Sequence, residues 1–132
     1  MNLLILVVDD EPDVEALFRQ QFRREMRSGQ FTLDFAVSAP AALHMVETAD
    51  DSALILLLSD INMPGMTGLE LLPRVKALRP TLPVIMITAY GDAETRRLAQ
   101  AGGAEDVYAK PIDFAALKAE IGRRVAARAG PA

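Results

Sequence analysis

Five residues with chemically useful side chains stand where apolar segments of the sequence end. Asp9 and Asp10 follow the segment LLILVV, and Asp60 follows ILLLS. Thr88 ends the segment PVIMIT, and Lys110 follows VYA. If these segments are parallel strands, their carboxyl ends share one edge of a sheet, where open α/β sheets bind ligands. The sequence therefore predicts that two or three carboxylates, a hydroxyl and an ammonium group meet at this edge.

Together these groups could hold a metal ion and a phosphoryl group. Clustered carboxylates repel one another unless a cation lies between them. No cysteine or histidine joins the cluster, and an all-oxygen ligand set favours Mg²⁺, or Mn²⁺ in its place. Phosphoryl transfer needs such a metal, a lysine and a hydroxyl, because it depends on positioning and on neutralising charge. Asp60 is the predicted acceptor, since an aspartate carboxylate can act as the nucleophile.

The apolar segments have the length and composition of strands. LLILVV, ALILLL and PVIMIT are apolar on both faces, which is typical of parallel strands covered by helices on each side. In FTLDFAV the apolar residues alternate, which predicts a half-exposed strand near a sheet edge. The predicted strands are 3–8, 31–37, 53–59, 83–88 and 106–109. Their alternation with helical segments predicts an α/β domain with one five-stranded parallel sheet and helices on both faces.

Capping residues and apolar spacing predict the helices. Pro12 suits a first helical turn, and three residues suit N-caps: Ser38, Asp92 and Asp113. The first helix is expected to end at SGQ, 28–30, and to bury a stripe of Val14, Leu17, Phe18 and Phe22. A helix from about Gly68 to Leu78 contains Pro73, which removes a hydrogen bond. The last helix has an apolar stripe of Phe114, Leu117, Ile121 and Val125.

Length and composition limit the other possibilities. The 132 residues suffice for one domain, predicted to span 1–128 and to be followed by a disordered tail at 129–132. No apolar segment could span a bilayer and the N-terminus does not resemble a signal peptide, so we expect a cytoplasmic protein that does not bind a membrane. The net charge of −4 argues against direct nucleic acid binding. The arginine pairs at 23–24, 96–97 and 123–124 are interpreted as solvated helix faces.

Four motifs together are similar to those of a known family. ILVVDDEP, LLLSDINMPGMTGLELL, PVIMITAYGD and AKPID occur in order and at a spacing that resembles the receiver domains of two-component response regulators. The resemblance covers essentially the whole chain. It implies a flavodoxin-like, doubly wound sheet with strand order 2-1-3-4-5. It also implies that a sensor histidine kinase or a histidine phosphotransfer protein phosphorylates Asp60.

The resemblance further implies which residues hold the metal. Asp10 would bind Mg²⁺ directly and Asp9 mainly through water. Asn62 would contribute its backbone carbonyl, and Asp60 would contact the ion as well as accept the phosphoryl group.

Two more residues have roles implied by the resemblance. Thr88 would hydrogen-bond a phosphoryl oxygen after modification, and Lys110 would pair with the phosphoryl group. The Lys110–Pro111 peptide bond would be cis, a geometry almost confined to proline.

The sequence departs from the family pattern in one switch residue. Val107 stands three residues before Lys110, where the family often has an aromatic residue, and Tyr108 falls on the opposite strand face. A threonine–tyrosine switch in its usual form is therefore not expected, and AGGAEDVYAKP has one extra residue before the last strand. Asn62 and Tyr90 occupy positions that tune hydrolysis of the aspartyl phosphate in the family. The alternative, that they are polar loop residues without this role, has nearly equal weight.

The predicted function is a phosphoacceptor switch that changes a protein interaction surface. It catalyses its own phosphorylation and dephosphorylation but is not an enzyme that acts on a metabolite. One alternative is a protein-binding module that is not phosphorylated. Another is a small Mg²⁺-dependent phosphohydrolase, against which Asn62 argues, because such enzymes usually have a second aspartate there. The downstream protein target is not identified by the sequence. A phosphorylation-dependent dimer through the fourth predicted helix, the last strand and the last helix is a further expectation.

Overall fold

The computed structural model of this chain describes residues 3–50, 53–89 and 91–129. Its strands are β1 (Leu4–Val8), β2 (Thr32–Ala36), β3 (Leu54–Asp60), β4 (Val84–Thr88) and β5 (Asp106–Ala109). Its helices are α1 (Pro12–Gln21), α2 (Arg23–Arg27), α3 (Ala39–Thr48), α4 (Gly68–Leu78), α5 (Ala93–Ala101) and α6 (Phe114–Ala129). All five predicted strands are confirmed to within about two residues at either end. None of the described helices is both long enough and apolar enough to cross a membrane.

The strands form one parallel sheet in the order β2-β1-β3-β4-β5, which confirms the predicted doubly wound, flavodoxin-like α/β fold. The chain first moves from β1 outward to β2 and then returns across β1 to β3. The direction of winding therefore reverses between β1 and β3. Because the connections on either side of this point leave in opposite directions, a crevice opens beyond the carboxyl ends of these two strands.

Alternation along the strands divides the core into two layers. Ile5, Leu58 and Ile85 pack on one face of the sheet with residues of α1 and α6, and Leu6, Leu57 and Met86 pack on the other with residues of α3, α4 and α5. All seven positions of β3 are buried, as its continuous apolar sequence predicts. Each fully buried large aliphatic or aromatic side chain contributes about 1.5–3 kcal/mol. The two layers therefore hold the strand ends in fixed positions.

Four of the described helices, α3 to α6, begin at a side chain that caps the first turn. Ser38, Asp92 and Asp113 each accept a hydrogen bond from a backbone N–H three residues later, at 3.2, 2.8 and 3.1 Å, which confirms the three predicted N-caps. A fourth cap was not predicted. Thr67 accepts from the N–H of Glu70, whose carboxylate accepts from the N–H of Thr67 in return. This reciprocal cap fixes the start of α4 directly beyond the end of β3.

The first predicted helix differs from the observed structure in two respects. It is divided at Phe22, whose backbone leaves the helical region (φ −107°, ψ 17°), so that α2 follows as a separate short helix. The ring of Phe22 stays fully buried, 5.9 Å from the ring of Phe18, while the arginines that follow it remain exposed. Leu17, predicted to be part of the buried stripe, is 41% exposed. It was wrongly included because Phe18 and Phe22 already fill the space against the sheet.

The last helix, α6, buries the apolar stripe that its sequence predicts. Leu117 and Ile121 are buried, and Phe114 and Val125 are partly buried against the same core, so the predicted stripe of α6 is confirmed. Helix α6 reaches Ala129, the first residue of the predicted tail. The remainder of that tail, 130–132, lies outside the described residues. The proposed domain boundary therefore stays a prediction.

Candidate functional site

The polar residues that follow the strands meet at one edge of the sheet. Asp9 comes directly after β1, and Asp60 is the last residue of the neighbouring β3. Thr88 ends β4, and Lys110 follows β5. Because all strands are parallel, their carboxyl ends place these side chains around the crevice between β1 and β3. The predicted convergence of the groups is thus observed.

Three carboxylates are clustered in this crevice. Asp9, Asp10 and Asp60 each offer an oxygen, and these oxygens lie within 4.8 Å of one another. The side chains of Asp9 and Asp60 are only 7% and 3% exposed. At such distances and with little water between them, like charges repel strongly. We name Asp9, Asp10 and Asp60 the acidic cluster.

One ammonium group partly compensates the acidic cluster. Lys110 Nζ lies 3.3 Å from an oxygen of Asp9 and 3.3 Å from an oxygen of Asp60, and its side chain is 25% exposed. The backbone N–H of Lys110 donates to the carbonyl of Thr88, and the following peptide bond to Pro111 is cis, as expected. The lysine is therefore held at both its backbone and its ammonium group, and among the described residues it is the cation paired with the acidic cluster.

The pKa values of the paired groups shift in the directions that this charge balance dictates. The pKa of the Asp60 carboxyl is raised, mainly by burial and also by the negative charge of Asp9. The hydrogen bond from the N–H of Asn62 and the positive charge of Lys110 lower this pKa but do not outweigh the rise. For Lys110, burial lowers the pKa, but the charges of Asp60 and Asp9 outweigh it and the pKa is raised. The cluster therefore resists ionisation of Asp60 and favours any cation placed beside it.

Asn62 connects two parts of the crevice. Its backbone N–H donates to Asp60 Oδ1 at 3.1 Å, and its side-chain oxygen accepts a hydrogen bond from the hydroxyl of Thr88 at 3.3 Å. Thr88 is fully buried, whereas Asn62 is exposed. The hydrogen bond between Thr88 and Asn62 was not predicted, because the two residues are 26 positions apart in the sequence. Tyr90, the other position considered for tuning of phosphate hydrolysis, lies outside the described residues.

Gly68 is a site residue that the sequence interpretation did not single out. It is the first residue of α4, and its N–H donates to the carbonyl of Ile61 at 2.9 Å. A Cβ at this position would collide with the carbonyl oxygen of Asp60 and would lie 2.8 Å from Cα of Ile61. Only glycine lets α4 start this close to the end of β3. The signal was present in the sequence as a glycine after a threonine cap, in the segment MTGLE.

Val107 and Tyr108 of β5 lie on opposite faces of the sheet, as predicted from the sequence. Val107 is 3% exposed and packs in the core layer below α5. Tyr108 packs partly buried on the opposite face, against the layer that contains Phe114, and burial raises the pKa of its phenol. The guanidinium of Arg96 donates to the carbonyl of Val107 at 3.0 Å. The aromatic side chain thus lies on the other side of the sheet from Thr88.

Comparisons with known proteins agree with this fold. The chain matches the family described as "Response regulator receiver domain" over residues 5–122. It is 36% identical to sporulation initiation phosphotransferase F of Bacillus subtilis over 114 residues, which cover 86% of each protein. It is 34% identical to the transcriptional regulatory protein TcrA of Mycobacterium tuberculosis over 127 residues, or 96% of this chain and 47% of TcrA. The chain thus spans about half the length of this curated relative.

A solved structure has the same architecture along its whole length. The CheY-like response regulator receiver domain protein from Methanospirillum hungatei superposes with a TM-score of 0.84 at 27% sequence identity. The superposition covers 98% of each chain.

Proposed function

Because this chain belongs to the response regulator receiver domain family, a family of phosphoacceptor switches, we propose that Asp60 is its phosphoacceptor and that Mg²⁺ is required. The observation that carries this proposal is the position of Asp60 between two other carboxylates and Lys110 at the switch point of the sheet. Receiver domains of response regulators interact with histidine kinases or histidine phosphotransfer proteins. We propose a donor of this kind, without assigning which one.

The acidic cluster fits a small divalent cation. It offers only oxygen atoms, they converge within 4.8 Å, and their repulsion is incompletely compensated by Lys110. These are the ligands that Mg²⁺ prefers, with Mn²⁺ as a substitute. Asp10 would ligate the ion directly, Asp9 mainly through water, and Asp60 and the Asn62 carbonyl would complete the protein ligands. When bound, Mg²⁺ would supply positive charge to the oxygens of an incoming phosphoryl group.

The contacts of Asp60 support its proposed role as the nucleophile. The N–H of Asn62 holds one of its oxygens at 3.1 Å and Lys110 holds the other at 3.3 Å, so the carboxylate has a fixed orientation. One carboxylate oxygen would form the new P–O bond while the P–N bond of the phosphohistidine donor breaks and its electron pair stays on the imidazole. Positioning and charge neutralisation are the main requirements of such a transfer. The domain would in this way assist its own phosphorylation and later hydrolysis.

Thr88 and Lys110 would stabilise the product. The ammonium group of Lys110 already lies against Asp60 and would pair with the phosphoryl oxygens. The hydroxyl of Thr88 now donates to Asn62, and it would exchange this partner for a phosphoryl oxygen. Movement at the end of β4 would then reach the surface formed by α5, β5 and α6. This is a local charge event that biases a two-state element, and a phosphorylation-dependent dimer through this surface stays a prediction.

An acetyl phosphate experiment tests the proposal. The protein is incubated with Mg²⁺ and acetyl phosphate and its intact mass is measured, alongside an Asp60→Asn variant and a sample with chelator. We expect one phosphoryl adduct on the unmodified sequence alone and none with chelator. If no adduct appears, binding of beryllofluoride is measured, because rapid hydrolysis can remove the label. Failure of both would refute the proposal and favour the alternative of a protein-binding module that is not phosphorylated.

The phosphohydrolase alternative gains no support from the site. The position two residues after Asp60 is Asn62, an amide that accepts a hydrogen bond from Thr88 and cannot serve as a general acid. The cytoplasmic location predicted from the sequence stays a prediction, which fractionation of cells would test.

A further inference from the structure

Four cationic side chains line an open cleft far from the acidic cluster. The cleft, of about 560 Å³, lies where the end of α1, the short helix α2 and α6 meet. Its lining residues, which we name the basic cleft, are Gln20, Gln21, Arg23, Arg24, Glu25, Arg27 and Lys118. Helix α1 starts beside the acidic cluster and its ten residues carry the chain about 15 Å away from it. The basic cleft therefore lies toward the opposite edge of the sheet.

The arginines of the basic cleft lack the glutamate partner that four other helix arginines have. Those four are held by a glutamate three or four residues earlier, in the pairs Glu15–Arg19, Glu94–Arg97, Glu120–Arg123 and Glu120–Arg124. Within the described part of the chain, Arg23, Arg24 and Arg27 make no ion pair, and all three are exposed. Arg23 and Arg24 are therefore solvated, as interpreted from the sequence, and their charges are not paired within the described residues.

The arginines of the basic cleft also repel one another. Arg23 and Arg27 are four residues apart, a spacing at which like charges repel. Glu25 pairs with none of the arginines, and its Oε1 is buried without a hydrogen-bond partner among the described residues. Positions that break local rules without compensation are often functional.

We propose that the basic cleft binds an acidic segment of a partner protein. Guanidinium groups match carboxylates in a two-bonded geometry, and the neighbouring amides of Gln20 and Gln21 can hydrogen-bond a peptide backbone. Helix α2 has five residues and is about 7 Å long, which accommodates two or three carboxylates. The inference concerns a surface separate from Asp60 and does not depend on its phosphorylation.

Other anionic partners fit the surface less well. A nucleic acid needs an extended basic track, whereas this chain has a net charge of −4 and its cationic surface here is one small cleft. A membrane surface rewards exposed apolar side chains beside the cations. None of the exposed large apolar side chains of the described residues lines the basic cleft.

The test is a titration of ¹⁵N-labelled protein with a short oligoglutamate peptide, followed by NMR. We expect saturable shifts of the amides of residues 20–27 and 118, weakened by salt, and no shifts with the oligoglutamine counterpart. The double variant Arg23→Gln/Arg27→Gln should bind about five- to tenfold more weakly, since two exposed ion pairs are lost. The same variant should keep its fold and its acetyl phosphate labelling.

A matched control separates the cleft from the overall charge. The double variant Arg97→Gln/Arg123→Gln loses the same charge from exposed arginines that have glutamate partners, and it should bind the peptide within about twofold of the unmodified protein. The proposal is overturned if the peptide does not bind or if both double variants lose affinity equally. It is also overturned if duplex DNA or anionic vesicles bind to these residues more tightly than the peptide does. Labelling of Asp60 by acetyl phosphate is a separate result, so either proposal can fail alone.

Discussion

Asp60→Asn should stabilise the fold when no divalent cation is present. The carboxylate of Asp60 is 3% exposed and lies within 4.8 Å of the nearest oxygens of Asp9 and Asp10. At an effective dielectric constant of about 20, each of these repulsions amounts to about 3.5 kcal/mol, and the attraction of Lys110 at 3.3 Å to about 5 kcal/mol. The net repulsion is about 2 kcal/mol, before the cost of burial is added. The amide can still accept the N–H of Asn62, so we expect the free energy of unfolding to rise by about 2 kcal/mol.

The pH dependence of this effect follows from the raised pKa of Asp60. Because the folded-state pKa lies above the unfolded value of about 3.9, the native state binds the proton more tightly. The unmodified protein therefore loses stability as the pH rises from the unfolded pKa through the folded one. The advantage of Asp60→Asn should be absent below about pH 3.9 and should grow as the pH rises through the folded-state pKa.

Urea denaturation followed by circular dichroism measures both effects. Unfolding is compared at neutral and acid pH in the presence of chelator, and again with Mg²⁺. Binding of Mg²⁺ to the native state should stabilise the unmodified protein and so reduce the difference in free energy of unfolding between it and Asp60→Asn. Glu47→Gln removes an exposed charge on α3 and should change the stability by no more than about 0.5 kcal/mol. A variant Asp60→Asn that is equally or less stable at neutral pH without metal would refute the reasoning.

Three further predictions concern residues around the acidic cluster and β5. Gly68→Ala should lower the free energy of unfolding by about 2–3 kcal/mol, because its Cβ collides with the end of β3. Thermal denaturation measures this, and Ala119→Gly in the middle of α6 serves as an exposed reference with about 1 kcal/mol of loss. A stability loss for Gly68→Ala below that reference would contradict the argument. Lys110→Met should raise the pKa of Asp60 further, since it removes the ammonium group that is hydrogen-bonded to this carboxylate. ¹³C NMR of the carboxyl carbon measures the pKa, and an unchanged value would be inconsistent with the ion pair. The phenol of Tyr108 should ionise above its ordinary pKa because it is partly buried; ultraviolet absorbance during a pH titration follows it, with Tyr108→Phe to assign the signal, and a midpoint at or below the ordinary value of about 10 would disprove the prediction.

Patterns along the chain were enough to predict the elements and the set of residues at the site. LLILVV and PVIMIT are short, mainly apolar segments, which are typical of strands buried on both faces. Ser38 and Asp92 mark helix starts because capping is a contact with a residue three positions away. Alternating strands and helices make the sheet parallel, and a parallel sheet puts the residues after its strands at one edge. Asp60 could therefore be placed at the candidate site, and the resemblance to a family supplied the strand order.

Other features depend on contacts that no local pattern records. Lys110 meets Asp9 across 101 residues, and Thr88 meets Asn62 across 26, so their distances exist only once the strands are ordered in space. The rise in the pKa of Asp60 has the same origin, because burial and the charge of Asp9 both come from β1 and its neighbours.

The division of the first helix at Phe22 and the exposure of Leu17 were also decided by packing. The sequence by itself determined which residues are apolar, which cap helices and which follow strands, since these are local properties. The tertiary structure alone decided which charges lie together, how well they are compensated and where glycine is obligatory at Gly68, because electrostatic and steric energies depend on distances between segments remote in the chain.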